Sequence, residues 1–185
     1  GKLTGVSLNA EGRLELSPRI TDVYASEQPQ IWSVARAADG TLYLGSGHKG
    51  RVFSVDRQGK GAVVWTSDQP EVFAVAADDK AVYAGTSPDG KIYRIEKGKA
   101  TEYFAPPQAR YIWALRFGPD GALYAATGEP GRVYRITAAG KGDVFYDSGQ
   151  THVTCLAFDS TSKLLAGSEP NGILFELATD GPGFA

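Results

Sequence analysis

Residues 39–55 of this chain read DGTLYLGSGHKGRVFSV, residues 79–95 read DKAVYAGTSPDGKIYRI, and residues 120–136 read DGALYAATGEPGRVYRI. A fourth, more altered version follows. Gly50, Gly90, Gly131 and Gly172 recur at steps of 40, 41 and 41, and three residues after each comes an aromatic: Phe53, Tyr93, Tyr134 and Phe175. Tyr43, Tyr83, Tyr124 and Leu165 keep the same phase, as do Trp32, Phe73, Trp113 and Thr154. Landmarks held in phase over four copies mean one supersecondary unit used four times, and no other feature limits the fold as tightly.

Each copy reads as four short strands. The first is IWSVA, VFAVA, IWALRF or VTCLAF; the second LYLGS, VYAGT, LYAAT or LLAGS; the third RVFSV, KIYRI, RVYRI or ILFEL. The fourth is AVVWT, TEYF or DVFYD, and the last copy stops before completing one. Asp39-Gly40, Asp79-Lys80 and Asp120-Gly121 supply the first hairpin turn, where Gly takes a positive φ freely and Asp tolerates one. The alternation is that of strands, and no stretch holds a helical period for three turns. Four strands per ~40 residues is the unit of a β-propeller blade, which is twisted and must hide its faces against its neighbours. The fold class is therefore all-β, a β-propeller of four-stranded repeats at 31–70, 71–110, 111–150 and 151–185. The recurrent aromatics are expected to fill the space between blades.

DGALYAATGEPGRVYRI resembles the bacterial propellers related to NHL-repeat, pyrroloquinoline-quinone-type and virginiamycin B lyase-like domains, over roughly residues 31–177. The Gly-His and Trp-Asp pairs of WD repeats do not recur, which argues against that branch. Residues 1–30 read as propeller strands too. GRLEL (12–16) matches a third strand, RITDVYAS (19–26) a fourth with Tyr24 at the place of Trp65 and Tyr146, and GVSL (5–8) a second strand or an extension. Two closures follow. Either the strand at 20–24 completes the last blade in a four-bladed ring, or the chain is an arc of a larger ring of roughly six to eight blades. An open arc would expose apolar faces and unpaired edges, so closure of some kind is expected. The larger ring, completed by another copy or by further sequence, is preferred because four-bladed rings are a minority among propellers.

In such a blade the 2–3 loops and the blade-to-blade connections share one rim. Gln28, Gln69, Gln108 and Gln150 recur in those connections, where an amide more readily serves its own turn than a ligand. Residues that do not repeat are better candidates. His48 stands in a loop that carries proline in the other three copies, and Lys49 follows it; His152 sits in the last connection, next to Thr154. Both histidines read as solvated. Glu129 and Glu169 lie on loops of the same rim. The resemblance to virginiamycin B lyase-like enzymes implies an alternative, rim His and Glu residues working with a divalent metal as in a lyase or lactonase. No motif places a carboxylate beside either histidine, so no catalytic residue, metal or cofactor is assigned. Arg116 occupies a first-strand place held elsewhere by Ala35, Ala76 and Ala157, and must reach the central channel, a carboxylate or water. Cys155 aligns with Ser33, Ala74 and Ala114 and reads as a packed core thiol.

With 185 residues, 42% hydrophobic and 22% charged, the composition is that of an ordinary globular chain. A net charge of −2 speaks against a nucleic-acid partner, which needs a basic face. No run of about 18 apolar residues suggests a membrane span, and a cleaved leader would leave no trace, so export stays open. The expected role is a binding or assembly module whose rim meets a protein, a peptide or a small polar ligand. A purely structural propeller piece is the third reading.

Overall fold

The computed structural model describes residues 5–17 and 20–178, and every regular element among them is a β-strand. At one end β1 (Val6–Leu8) and β2 (Leu14–Leu16) form a two-stranded antiparallel sheet of their own. The first copy is a four-stranded meander of β3 (Ile31–Arg36), β4 (Leu42–Ser46), β5 (Arg51–Val55) and β6 (Gly61–Thr66). The second repeats it with β7 (Glu71–Ala77), β8 (Val82–Ser87), β9 (Ile92–Glu96) and β10 (Lys99–Phe104).

Copies three and four share one five-stranded sheet: β11 (Tyr111–Phe117), β12 (Leu123–Ala138), β13 (Lys141–Phe158), β14 (Leu164–Glu169) and β15 (Leu174–Leu177). Here the expected strands are joined end to end. LYAAT and RVYRI lie in β12, while DVFYD and VTCLAF lie in β13. The pairs Gly128–His152 and Gly131–Gln150 carry the ladder across the loop that interrupts it in the other copies.

The turns explain why these strands stop where they do. Asp39 Oδ1 accepts the Thr41 N–H at 2.8 Å, and Asp78, Asp120 and Asp159 accept the Lys80, Ala122 and Thr161 N–H groups in the same way. Such side-chain caps give the backbone a turn in place of a ladder. In copy two the cap is Asp78, one residue before the Asp79-Lys80 pair expected, because that turn closes from Asp78 N–H to the Ala81 carbonyl.

Apolar alternation then glues one copy to the next. Val52 clusters with Val72, Val82 and Ile95; Ile92 with Ile112, Leu123 and Ile136; and Val133 with Val153 and Leu164. All are 0–3% exposed, each contributing about 1.5–3 kcal/mol from burial. The first strands of the copies lie side by side, β3 by β7, β7 by β11 and β11 by β13. Together they line a single groove of about 280 Å³.

The expected fourth strand at 19–26 is not a strand over its described residues, 20–26. It nevertheless sits where the outer strand of a blade preceding copy one would sit. Tyr24 meets Phe53 at 6.0 Å as Trp65 meets Tyr93 at 5.0 Å and Tyr146 meets Phe175 at 5.1 Å. The Val23 carbonyl faces Gly59 as the Val64 carbonyl faces Gly98. Closure of a four-bladed ring by residues 20–24 is absent among the described residues, because β15 pairs with β14 alone.

Candidate functional site

Every first strand carries a β-bulge at the same place. Ile31 pairs with Ser46 and Ser33 with Gly45, so Trp32 is skipped; Phe73, Trp113 and Thr154 are skipped likewise. A bulge adds one residue to a strand and re-aims its side chain. All four of these side chains line the central groove. Trp32 meets Phe73 edge-on at 5.3 Å, Phe73 meets Trp113 at 4.7 Å, and Tyr111 stacks on Trp113 at 5.1 Å. The aromatics expected as filling between blades do touch from copy to copy, but on the groove side, and Trp32 is 45% exposed.

The two indoles are held alike. Trp32 Nε1–H donates to Glu71 Oε2 at 2.6 Å, and Trp113 Nε1–H donates to His152 Nδ1 at 3.1 Å. Glu71 and His152 each stand two residues before the bulge of the next copy, Phe73 and Thr154. His152 is half-buried against Trp113 and Tyr111, at 5.6 and 5.7 Å, and not the solvated residue expected. Room for these pairs comes from missing side chains. A Cβ on Gly47 would lie 2.6 Å from Trp32 Nε1 and 2.7 Å from Glu71 Oε2, and one on Gly128 would strike His152 and Trp113.

Hydrogen bonds tie the 2–3 loops to the connections, so both lie on one rim. Gly50 N–H donates to the Pro70 carbonyl at 2.8 Å, Arg110 N–H to Gly128 at 3.0 Å, and Ser148 Oγ to Gly131 at 2.6 Å. His48, with φ of 63°, is exposed on this rim and donates its N–H to Glu71 Oε1 at 3.3 Å. Lys49 is exposed beside it. Glu129, at φ 51°, pairs with Arg110 at 3.1 Å, and that guanidinium lies 5.7 Å from the Tyr111 ring.

The glutamines do not form one ring. Gln28, Gln69 and Gln150 are half-buried, and each donates its backbone N–H to the serine two residues earlier, Ser26, Ser67 or Ser148. Gln108 is exposed and stands one residue out of phase. Ala109 presents its carbonyl to Gly90 where Gln69 and Gln150 present theirs to Gly50 and Gly131. Asn171 Nδ2 donates to Gln150 Oε1 at 2.8 Å, while Gln28 Oε1 is buried with no hydrogen-bond partner among the described residues.

Arg116 is exposed in the groove, near the end of β11 away from this rim, and donates to the Leu115 carbonyl at 2.9 Å. No carboxylate pairs with it among the described residues. Cys155 is exposed and lines the same groove, contrary to the core thiol expected; no copy packs on that side of copy four among the described residues. No group of three or more His, Cys, Asp or Glu among the described residues is arranged to hold a metal ion.

No family model and no curated protein matches this sequence. Solved structures do. A virginiamycin B lyase from Staphylococcus aureus superposes with a TM-score of 0.68 at 17% identity, over 96% of this chain and 64% of that one. The WD40 β-propeller domain of Doa1 follows at 0.67 and 15%, over 97% and 62%. The fold is a β-propeller. An aldose sugar dehydrogenase from Streptomyces coelicolor, in its PQQ-bound form, matches at 0.62 and 23%, over 80% and 59%. The propellers that match thus have unrelated activities, and the likeness carries the architecture alone. This chain spans about 59–64% of their lengths.

Proposed function

We propose that this propeller is a non-catalytic binding module that takes a peptide or protein loop at the rim-side mouth of its central groove. The observation that carries the reading is the row of bulged aromatics, Trp32, Phe73 and Trp113. Both indole N–H groups are already satisfied within the protein, so the row offers ring faces and edges in preference to hydrogen bonds. Such surfaces anchor binding because they give large contact area at small conformational cost. Around them Glu71, His48, Lys49 and the Arg110–Glu129 pair form a polar rim of mixed charge, the surroundings that orient a peptide. Deeper in the groove, unpaired Arg116 suits an acidic side chain or a C-terminal carboxylate reaching through.

Selection from a displayed random-peptide library against the intact chain tests this. Selected peptides should lose at least about tenfold in affinity on Trp32→Ala, the size of an anchor residue above ~1.4 kcal/mol. They should be indifferent to Arg57→Ala; Arg57 lies in the β5–β6 turn on the opposite rim, where its Nε–H donates to the Asp39 carbonyl at 2.7 Å. Peptides that bind Trp32→Ala unchanged, or a selection that yields no binder, would refute the reading.

A further inference from the structure

The two end blades expose the two halves of one repeated interface. Ile31 is the counterpart of Val72, Ile112 and Val153, all 0% exposed, yet Ile31 is 42% exposed. Leu174 is the counterpart of Val52, Ile92 and Val133, again all 0% exposed, yet Leu174 is 68% exposed. Inside the protein these two series pack on each other: Val52 with Val72, Ile92 with Ile112, Val133 with Val153. The bare faces are thus complementary halves of a contact already made three times.

Their shapes match as well. On the copy-one side, Ile31, Leu42, Leu44 and Val55 line a groove of about 540 Å³ whose other wall is residues 21–25. In copy two the equivalent Val72, Val82, Ala84 and Ile95 are buried under copy one. Since 21–25 stand as the outer strand of a preceding blade, the groove is a slot for the three inner strands of a blade. Copy four is such a body. Its described strands are the second part of β13, β14 and β15, and nothing described pairs with the outer edge of β15.

We propose that copy four of one molecule inserts into this slot on a second molecule, with residues 20–25 of the receiver serving as the fourth strand of the donor's last blade. The contact is heterologous, head to tail, so it closes into a ring or continues as a filament according to the rotation it imposes. A sheet edge and an apolar face are covered in one step, which removes two association hazards together.

Light scattering with the chain and two single variants tests this. The wild-type mass should rise above one chain with concentration. Leu44→Asp spoils only the slot and Leu174→Asp only the inserted blade, so each variant alone should remain a monomer. Mixed together they should form one-to-one pairs, because the intact inserted blade of the first fits the intact slot of the second. Pairing on mixing also shows that both variants are folded. A wild-type chain that stays monomeric at all concentrations would overturn the proposal, as would variants that fail to pair while retaining the wild-type strand spectrum by circular dichroism. Neither result bears on peptide binding at Trp32, which stands or falls by its own assay.

Discussion

Two glycines, Gly47 and Gly128, show how small the margins are around the indoles. They occur in the copies with tryptophan at the bulge; where the bulge residue is Phe73 the same place holds Ser87, and where it is Thr154 it holds Glu169. Gly128→Ala should cost about 1–3 kcal/mol, the range for overpacking, because the half-buried Trp113–His152 pair has little room to retreat. Gly47→Ala should cost less, since Trp32 is exposed and Glu71 ends in a carboxylate that can swing aside. Equal urea midpoints for the two variants would contradict this account. A spacing of 39 residues links both indoles to their acceptors, Trp32 to Glu71 and Trp113 to His152. That spacing was open to inspection in the sequence, but an acceptor that is Glu once and His once does not announce a repeat. Gln108 shows the opposite failure. It has the right residue type in the right segment, yet the one-residue shift is set by which carbonyl meets Gly90.

At the level of strands and turns, the capping aspartates make the fold acid-sensitive. Asp120 feels burial, which raises its pKa, but the Arg135 guanidinium, the Ala122 N–H and the Tyr124 hydroxyl outweigh it and leave the carboxyl below its ordinary 3.8. Thr41 N–H lowers Asp39, Lys163 N–H lowers Asp159, and Arg132 lowers Asp147. A carboxyl whose folded pKa is depressed stabilises the protein above its unfolded pKa, and that contribution disappears as pH falls through the folded value. The melting temperature should therefore hold from neutrality down to about pH 4 and fall below it. At the other extreme, burial pushes the Tyr83 hydroxyl up to about 12, so its contribution is present below pH 10 and fades as pH climbs towards that value. A melting temperature unchanged on acidification below pH 3 would contradict the turn chemistry. The strands themselves were legible because period-two alternation and punctuating Asp and Gly survive in every copy. Their merging in β12 and β13 was not, because it depends on whether two backbone pairs form across a loop. Residues 20–26 read as a strand from their pattern but have no described neighbour to pair with, and pairing is what defines a strand.

At the scale of the molecule, stability lies in contacts between blades. Phe53 is 2% exposed and faces Tyr24; Phe53→Ala should cost about 3–5 kcal/mol, as for other large buried aromatics. Denaturant melts would expose a smaller loss. The repeat spacing made the propeller legible, but it left the direction of closure open, since a strand at 20–24 suits the last blade of its own ring or of another equally well. What the structure adds is that β15 pairs with β14 alone among the described residues, so residues 20–24 do not close this chain on itself. The central claim is that four copies fan about one groove, which puts residues of the first and fourth copies on opposite sides of the same narrow space. Val34, 58% exposed, and the free thiol of Cys155 both line it. In a straight stack of sheets they would stand about 30 Å apart, three steps of ~10 Å. The most direct measurement is therefore cross-linking of Val34→Cys to Cys155 in dilute protein with a bis-maleimide much shorter than that. The fan predicts rapid intramolecular linkage that stops when the chain is unfolded in urea, whereas native protein labelled at both thiols but never bridged would contradict it.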